Sequence, residues 1–484
     1  MMSMLDADSC YRAYAARDAR FDGRFFTGVT STGVYCRPVC TARLPKPENC
    51  RFFPSASAAE AAGFRPCLVC RPECAPGESP AEAGQRLADA AAGLIAAGGL
   101  DEAGLGALCG RLGVSARHLR RVFRERFGVT PVAYAQTRRL LLAKALLADS
   151  GLSATDVAFA SGFSSLRRFN ALFQSRYGLS PSQLRRAGEA RAISGEAATV
   201  ELGYRPPYDW DGLMGFLGTR AVAGVEEAGE GAYRRTLRLW RNGTPHAGWL
   251  AVCPAAGKNA LRVAVSTELL PVLPAVLARV SHLFDVCCDP WAVSGGLSGL
   301  ADGHEGVRLP GTADGFETAV RAILGQQVTV VGARTLAGRF AAAFGDPVAT
   351  PFAGLSRLFP DPGRVAALSV EAIAALGVIA GRARAILALA GAVRDGDLEL
   401  SPTADLEKSL DTLRALPGVG EWTAQYIAMR ALGWPDAFPH TDGGLKKALG
   451  ETDPKRIARL AEAWRPWRAY AVMHLWRTLQ GAST

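Results

Sequence analysis

The chain has little that would suit a membrane or an oxidising compartment. No stretch of its 484 residues approaches the roughly 20 apolar residues that span a bilayer. The first ten residues, MMSMLDADSC, lack the basic start and apolar segment of a secretory signal peptide. We therefore expect a cytoplasmic protein without a membrane partner. Because thiols stay reduced there, its eleven cysteines should be metal ligands, nucleophiles or core residues rather than disulfides.

Acidic residues are fewer than basic ones, 45 against 55, which gives a net charge of +10 and an acidic partner as the expectation. The excess is concentrated in one part of the chain. Between Pro80 and Ala187 there are 15 Lys or Arg and 7 Asp or Glu. A charge confined to one segment indicates a nucleic-acid surface, so we expect a protein associated with the nucleoid.

The composition changes along the chain and predicts a multidomain, mainly α protein. Seven cysteines lie within residues 10–74, none follows Cys288, and loose Pro/Gly/Ser-rich stretches lie at 74–84 and 187–199. We predict a small cysteine-rich α/β module over 1–77 and a helical segment over 84–187. These are followed by a small α+β domain over 200–308 and an all-helical domain over 309–484.

The segment 84–187 contains two similar units, LGALCGRLGVSARHLRRVFRERFGVTP (105–131) and ATDVAFASGFSSLRRFNALFQSRYGLSP (154–181). Gly113 and Gly162 suit tight turns, and Ser115 and Ser164 are the predicted N-caps of the second helices. The pattern predicts a double helix-turn-helix. The polar residues expected on the second helices are Arg117, Arg120, Arg121 and Arg124 in the first unit and Arg167, Arg168 and Asn170 in the second.

Such helices can enter the major groove, where Arg reads guanine and Asn reads adenine. An Arg-rich helix can also be merely solvated, but the repetition and the turn residues favour DNA binding. The whole segment resembles the AraC-family DNA-binding domain.

The cysteine-rich module contains Cys36 and Cys40, then Cys67 and Cys70 after a longer loop. Two closely spaced pairs are typical of one tetrahedral zinc ion with four thiolate ligands. Spacing alone favours a purely structural zinc, with a disulfide pair as the weaker alternative.

Two segments closely resemble the N-terminal domain of Ada-type DNA repair methyltransferases. They are FDGRFFTGVTSTGVYCRPVCTAR (21–43) and AAGFRPCLVCRPE (61–73). The resemblance implies that all four cysteines bind Zn²⁺. It also implies that Cys36 irreversibly accepts a methyl group from a methylated DNA phosphate, after which the adjoining domain binds DNA more tightly. The Pro-Cys-His-Arg motif of a second, O6-alkylguanine methyltransferase is absent.

The last third of the chain contains LPGVGEWTAQY (416–426), a Gly-rich turn between two predicted helices. Gly418 and Gly420 allow backbone N–H groups to face a DNA phosphate. It is followed by the segment FPHTDGGLKKAL (438–449), in which Asp442 lies at the predicted start of a helix. Asp442 by itself is more simply explained as an N-cap.

Together these features resemble the helix-hairpin-helix DNA glycosylase superfamily, and within it the AlkA-type 3-methyladenine glycosylases. Three further segments show the same resemblance: YRPPYDWDGLMGFLGTRAV (204–222), FETAVRAILGQQVTVVGA (316–333) and AEAWRPWRAYAVMHLW (461–476). It implies that Asp442 is the catalytic carboxylate and that four aromatic side chains form the pocket for the damaged base. These are Phe216, Trp422, Tyr426 and Trp476, each of which could instead be ordinary core.

Two further absences refine this reading. Bifunctional members of the superfamily have a Schiff-base lysine just after the hairpin, where this chain has Trp422. We therefore expect base excision without strand cleavage. With no cysteine beyond Cys288, we expect no iron–sulfur cluster at the C-terminus. Gln327 stands where a side chain can wedge into the DNA, and its role stays open.

The sequence thus predicts an alkylation-damage protein that acts on double-stranded DNA, with RNA polymerase as a possible partner of its regulatory part. One alternative is a transcription regulator with a structural zinc and an inactive glycosylase domain. Another is an enzyme whose middle domain raises DNA affinity without regulating a promoter.

Overall fold

The computed structural model describes residues 7–76, 86–100, 104–187, 197–297 and 299–481. Its first part is a small α/β module. Its elements are α1 (Ala7–Ala15), β1 (Phe26–Val29), β2 (Val34–Cys36), β3 (Cys50–Phe53), α2 (Ala56–Ala61) and β4 (Arg65–Pro66). The sheet order is β3–β1–β2–β4, in which β1 is antiparallel to both neighbours and β2 is parallel to β4.

The second part is helical. Its helices are α3 (Arg86–Ala96), α4 (Gly104–Arg111), α5 (Ala116–Phe127), α6 (Pro131–Asp149), α7 (Ala154–Ala160), α8 (Leu166–Tyr177) and α9 (Pro181–Ala187). Gly113 precedes α5 with φ +65° and Gly162 precedes α8 with φ +86°, a region of backbone conformation that favours glycine. The predicted double helix-turn-helix is therefore confirmed, with α5 and α8 as its second helices.

One of the two predicted caps is wrong. Ser115 caps α5 by accepting a hydrogen bond from the backbone N–H of His118, as predicted. Helix α8 is capped by Ser165, whose hydroxyl accepts from the N–H of Arg168, and not by Ser164. The second turn has one residue more between its glycine and its cap, so the serine aligned by the repeat lies one position too early.

The third part is an antiparallel sheet with helices. Its elements are β5 (Ala197–Gly203), α10 (Trp210–Gly218), β6 (Glu226–Gly229), β7 (Ala232–Arg241), β8 (Thr244–Pro254), β9 (Ala260–Ser266), α11 (Leu273–Leu283) and α12 (Pro290–Gly296). The order of the strands is β5–β9–β8–β7–β6. The β-branched run in β9 pairs with β5 on one side and β8 on the other, with Val263 and Val265 fully buried.

The fourth part is a helical bundle, as predicted. It contains α13 (Gly315–Leu324), α14 (Val330–Phe344), α15 (Pro362–Ala366), α16 (Val370–Ala374), α17 (Ala380–Arg394), α18 (Leu406–Ala415), α19 (Glu421–Arg430), α20 (Gly443–Leu449), α21 (Pro454–Leu460) and α22 (Arg468–Gly481). Across the described residues, we find no helix with the length and apolar character that crossing a bilayer requires.

Apolar side chains form one large core and several small ones. The large core extends from Leu140 to Leu475 and joins the second helix-turn-helix unit, the five-stranded sheet and the C-terminal helices. The first unit has a separate core around Leu119 and Phe123. The N-terminal module has two small cores of its own, one of which contains three of the predicted zinc ligands.

Candidate zinc centre, DNA-binding helices and base pocket

The sheet of the N-terminal module brings the two cysteine pairs together. Cys36 ends β2 and Cys67 directly follows β4, and the parallel pairing of these strands places the two cysteines side by side. The N–H of Cys67 donates to the carbonyl of Tyr35 at 3.0 Å, which fixes the register at this point. Cys40 and Cys70 follow in the adjoining loops, and all four Sγ atoms lie within 4.8 Å of one another.

This cluster fits a zinc ion. Four sulfurs at tetrahedral Zn–S bonds of about 2.3 Å lie about 3.8 Å apart, within the observed limit. Backbone N–H groups face two of the sulfurs: Arg37 donates to Cys70 Sγ at 3.3 Å and Val69 donates to Cys67 Sγ at 3.4 Å. Such donors stabilise thiolates, so the four predicted ligands form one tetrathiolate site for Zn²⁺.

Exposure does not single out Cys36 among the four. Cys36 is 4 % exposed, Cys40 2 % and Cys67 6 %, and Cys70 is half-buried. Tyr14 on α1 is buried in the same small core as Cys36, Cys40 and Cys67. Burial, together with the neighbouring thiols of Cys36 and Cys40, raises the pKa of Tyr14 well above its usual value. Tyr14 was not predicted, and its position in the sequence carries no motif.

The second helices of the helix-turn-helix units present the predicted polar residues to solvent. All seven are exposed: Arg117, Arg120, Arg121, Arg124, Arg167, Arg168 and Asn170. The opposite side of each helix is buried, by Leu119 and Phe123 on α5 and by Phe169 and Phe173 on α8. Glu125 accepts a hydrogen bond from Arg121 at 2.9 Å. The two helices therefore display strongly basic surfaces.

Asp442 is the N-cap of α20 and also binds two indole rings. Its Oδ1 accepts from the N–H of Leu445 and from Trp476 Nε1, and its Oδ2 accepts from Trp422 Nε1, each at 2.9 Å. The cap interpretation and the catalytic one are thus compatible, because the hydrogen bonds that end the helix also fix the carboxylate. Gly444 fits tightly here: a Cβ would lie 2.9 Å from Asp442 Oδ1 and 3.1 Å from Trp476 Cδ1.

The four predicted aromatic side chains come together around this carboxylate. Phe216 of α10 is parallel to Trp476 of α22, with ring centroids 6.3 Å apart. Trp422 and Tyr426, one turn apart on α19, are stacked at 5.3 Å, and Tyr426 lies 6.4 Å from Trp476. The structure therefore gathers an acid and an aromatic cluster from four helices.

Two arginines that sequence reasoning missed lie in the same cluster. Arg430 Nη1 donates to the hydroxyl of Tyr426 at 2.9 Å, and the Arg220 guanidinium carbon lies 3.8 Å from the centroid of the Phe216 ring. Burial would raise the pKa of Tyr426, but Arg430, Arg220 and Arg321 outweigh it and hold this pKa below its usual value. The spacing of Tyr426 and Arg430 by one helical turn is the one sequence signal that could have indicated Arg430.

The Gly-rich turn between α18 and α19 has the predicted form of a hairpin. Gly418 has φ +77°, and a Cβ there would lie 3.1 Å from Ala385. Gly420 is the N-cap of α19, where a Cβ would meet only open space. Gln326, which was not predicted, braces the turn by donating to the carbonyl of Gly418 and to Thr423 Oγ1, each at 2.9 Å. Its neighbour Gln327 is exposed, with φ +53°.

Models of four protein families match the chain in succession. They are the metal binding domain of Ada (residues 9–73), a helix-turn-helix domain (108–187), the AlkA N-terminal domain (199–314) and the HhH-GPD superfamily of base excision DNA repair proteins (320–466). The fold and the sites therefore define a DNA-binding protein that combines an Ada-type zinc module with a helix-hairpin-helix glycosylase fold.

The chain is also similar to curated proteins. It is 40 % identical over 490 residues to a probable bifunctional transcriptional activator/DNA repair enzyme AlkA of Mycobacterium tuberculosis, with 98 % of this chain and 97 % of that protein covered. It is 39 % identical to DNA-3-methyladenine glycosylase 2 of Escherichia coli, over 57 % of this chain and 96 % of that protein. It is 34 % identical to the bifunctional transcriptional activator/DNA repair enzyme Ada of Escherichia coli, over 41 % of this chain and 54 % of that protein.

The chain belongs to the family of bifunctional transcriptional activator/DNA repair enzymes of the AlkA type, because the first of these similarities extends over nearly the whole length of both proteins.

Proposed function

We propose that the protein hydrolyses the N-glycosidic bond of alkylated purines such as 3-methyladenine and transfers methyl groups from DNA methylphosphotriesters to Cys36. The observation that carries the first activity is the Asp442 carboxylate, which two indole N–H groups hold inside an aromatic cluster. An inactive glycosylase domain would have no need for this arrangement. The alternative of a transcription regulator with a structural zinc and an inactive glycosylase domain is therefore less well supported in its second part.

The chemistry of the lesion explains why one carboxylate suffices. Alkylation at N3 or N7 of a purine gives the base a positive charge and weakens its bond to the sugar. Once the nucleotide has left the stack, the site must stabilise a sugar with oxocarbenium character and direct water to it. Asp442 is suited to both tasks, because its three hydrogen bonds fix the carboxylate and its negative charge faces the developing positive one.

The aromatic cluster would bind the base. Phe216, Trp422, Tyr426 and Trp476 offer electron-rich ring faces, to which a cationic purine is attracted more strongly than a neutral one. The hairpin would bind a phosphate of the same strand through the N–H groups that begin α19. Because Trp422 stands where a Schiff-base lysine would be required, the reaction ends with base release and leaves the strand intact.

The test is the substitution Asp442→Asn, which keeps the cap and removes the charge. We expect release of 3-methyladenine from methylated DNA to be abolished while DNA binding persists. Asp453→Asn is the matched control, since Asp453 is the N-cap of α21 and lies outside the aromatic cluster. Undiminished release by Asp442→Asn would contradict the assignment.

The second proposed activity belongs to the cysteine cluster. Zn²⁺, when bound, keeps the four thiols deprotonated at neutral pH. The Cys36 thiolate attacks the methyl carbon of a phosphotriester, an S–C bond forms, and the C–O bond breaks with its electron pair left on a phosphodiester oxygen. The product is a stable thioether, so each protein molecule reacts once.

The same reaction would act as a switch for the DNA-binding helices. Methylation turns one of four thiolates into a neutral thioether, so the formal charge of the zinc site changes from about −2 to about −1. Repulsion from the DNA backbone falls, and α5 and α8 bind DNA more tightly. We propose that the protein then activates transcription at promoter DNA, with RNA polymerase as its partner, in the reducing environment of the cytoplasm.

Peptide mass mapping after incubation with methylated DNA tests the acceptor. We expect one added methyl group, on the peptide that contains Cys36, and none in Cys36→Ser. Cys253→Ser, at a half-buried cysteine outside the cluster, should react as the unaltered protein does. A methyl group on another cysteine, or on none, would reject Cys36. Promoter footprinting before and after methylation separates a regulator from an enzyme whose middle domain only raises DNA affinity.

A further inference from the structure

Helix α2 of the zinc module contacts the C-terminal ends of both DNA-binding helices. At its N-cap, Ser55 Oγ donates to the carbonyl of Phe127, the last residue of α5, at 2.8 Å. In its last turn, Glu60 Oε1 accepts from the hydroxyl of Tyr177, the last residue of α8, at 3.3 Å. The two contacting residues are five positions apart. This is a rise of about 7.5 Å along a helix, so one short element connects two helices that are 50 residues apart in the chain.

The two contacts lie at equivalent positions of the repeated units. Phe127 ends α5 and Tyr177 ends α8, and a glycine follows each of them. The side chains of these two residues differ by a single hydroxyl, and that hydroxyl is the group that donates to Glu60. The second unit therefore carries a side-chain contact to α2 that its counterpart in the first unit could not make, and the first unit uses a backbone carbonyl instead.

The two units have separate apolar cores, so their relative position depends on the elements that bridge them. Helix α6 is one bridge, since Ala135 belongs to the first core and Leu140 to the second. Helix α2 is a second bridge. Its Ala58 packs on the first core and lies close to the end of α5, because a Cβ at Gly128 would be 3.1 Å from the Cβ of Ala58.

The contact to the second unit is buried and has further partners. Glu60 is 5 % exposed, its Oε1 also accepts from Tyr35 at 3.0 Å, and its Oε2 accepts from Thr137 of α6 at 3.0 Å. A buried polar group is costly to leave without its partners, so these hydrogen bonds hold the carboxyl group in one position. Because Tyr35 directly precedes Cys36, the same group also connects the zinc module to α6 and α8.

A protein that places two helices in successive major grooves needs a fixed separation between them. The grooves lie one turn of DNA, about 34 Å, apart. Helices that are tethered but loosely oriented accept a wider range of spacings and bind more weakly, because part of the binding free energy is used to order them. An element that holds both helices before DNA arrives therefore increases affinity for one spacing and lowers it for others.

We infer that α2 acts as a spacer that fixes the separation of α5 and α8, with Ser55 and Glu60 as its positioning residues. The zinc module thereby determines which distance between two half-sites the protein binds. This inference rests on the proposed binding of promoter DNA by both helices. It adds a determinant of site selection that lies outside the residues facing the DNA.

The experiment uses the full zinc-loaded chain and undamaged DNA duplexes. In vitro selection from random duplexes, followed by footprinting, first identifies a site with two protected blocks. Two base pairs are then inserted between the blocks, which turns one block by about 70° around the DNA axis. For the unaltered protein we expect the insertion to lower the affinity on the order of a hundredfold, since one helix loses its base contacts.

Tyr177→Phe removes only the hydroxyl that Glu60 accepts, and it gives the second unit the residue of the first. We expect this variant to bind the original site on the order of three- to tenfold more weakly, the change for one hydrogen bond. The inserted base pairs should then cost it little further affinity. Loss of spacing dependence is the decisive readout, because a variant that is merely less stable would bind both duplexes more weakly by the same factor.

Ser55→Gly tests the other end of the spacer. Glycine is accepted at an N-cap at small cost, and the substitution removes the hydroxyl that donates to Phe127. It should also reduce the spacing dependence, and combining it with Tyr177→Phe should add little, because one free end already releases the spacer. Tyr11→Phe is the matched control. It removes a hydroxyl that donates to the carbonyl of Pro45 within the zinc module, and it should bind both duplexes as the unaltered protein does.

The outcomes separate this inference from the proposed function. If selection yields no site with two protected blocks, the proposed binding of promoter DNA fails. If such a site is found and both variants keep the spacing dependence of the unaltered protein, the inference is rejected. Near-ultraviolet circular dichroism shows whether each variant is folded. Should Tyr177→Phe unfold, the ratio of the two affinities for Ser55→Gly decides.

Discussion

Asp442 accepts hydrogen bonds from two tryptophan side chains, which is an uncommon environment for a carboxylate. The motif around it indicated an acid at the start of a helix, and the resemblance gave it a role. Its two indole donors come from positions 20 and 34 residues away along the chain. Sequence could nominate Trp422 and Trp476 as pocket residues, but it could not show that they orient the acid.

For the single residue Trp422, we predict how the substitution Trp422→Phe changes the rate of base release. The substitution preserves a ring that can stack on Tyr426 and removes the N–H that Asp442 Oδ2 accepts. A hydrogen bond to a charged group contributes about 1.5–3 kcal/mol, so base release should slow on the order of ten- to a hundredfold if the bond forms in the transition state. Single-turnover release of 3-methyladenine measures this.

The control for that substitution is Trp464→Phe. Trp464 is half-buried and packs against Phe438, apart from the carboxylate. Trp464→Phe should release 3-methyladenine at the rate of the unaltered protein. A full rate for Trp422→Phe would show that the indole N–H does not contribute to the reaction.

At the scale of elements, α2 of the zinc module is joined to the helix-turn-helix segment by one buried carboxylate. Glu60 accepts hydrogen bonds from Tyr35 at 3.0 Å, from Thr137 of α6 at 3.0 Å and from Tyr177 of α8 at 3.3 Å. Tyr35 directly precedes Cys36, and Tyr177 ends the second DNA-binding helix. Neither a motif nor a periodicity in the sequence indicated this contact, because its members lie in separate segments.

Glu60 should make stability depend on pH. Burial raises its pKa from 4.5 to about 7, against the lowering effect of its hydrogen bonds. The folded protein thus binds a proton that the unfolded chain has lost, and stability falls as pH rises between those two values. The free energy of unfolding should decrease by about 3 kcal/mol in all, because a shift of one pKa unit corresponds to about 1.36 kcal/mol. In Glu60→Gln this loss should disappear.

Thermal unfolding of the zinc-loaded chain between about pH 5 and about pH 8 measures the effect. Asp285 also has a pKa raised by burial, to about 6, so the informative quantity is the difference between Glu60→Gln and the unaltered protein at each pH. Glu48→Gln, at an exposed carboxylate of the same module, is the control. A difference that does not vary with pH would contradict the prediction.

At the scale of the whole molecule, the boundaries of the apolar cores do not match those of the predicted domains, because the helix-turn-helix segment is divided between two cores. The zinc ligands belong to a small core of the N-terminal module, whereas the helices around Asp442 belong to the large core, which also contains the second helix-turn-helix unit. Ion pairs connect two bodies, the N-terminal module and the part of the chain built around the large core. Arg71, next to Cys70, pairs with Asp149 at the end of α6, and Arg24 pairs with Asp289 just before α12.

This arrangement predicts that removing zinc leaves base release intact. A chelator should unfold the N-terminal module, since its small core contains the ligands themselves, and methyl acceptance should be lost. The large core does not depend on those cysteines. Released zinc, near-ultraviolet circular dichroism and 3-methyladenine release, measured on one sample, test this. A loss of base release in proportion to the zinc removed would show that the two bodies fold as one.

Features that contiguous residues encode could be predicted without a structure. These are the paired cysteines of one zinc site, the glycines of the helix-turn-helix units, the Gly-rich hairpin and the division into a helical and a mixed part. Spacing, turn residues and helix periodicity act over a few residues, so they can be recognised without a structure. The ends of the predicted domains stay predictions.

The contacts between distant segments became visible only in the folded chain. It moved one cap from Ser164 to Ser165, buried Glu60 between separate segments, placed two indole donors on Asp442 and laid Arg220 on Phe216. Each of these depends on how helices from different parts of the chain pack against one another. Packing is set by the shape of the whole core, which short stretches of sequence do not specify.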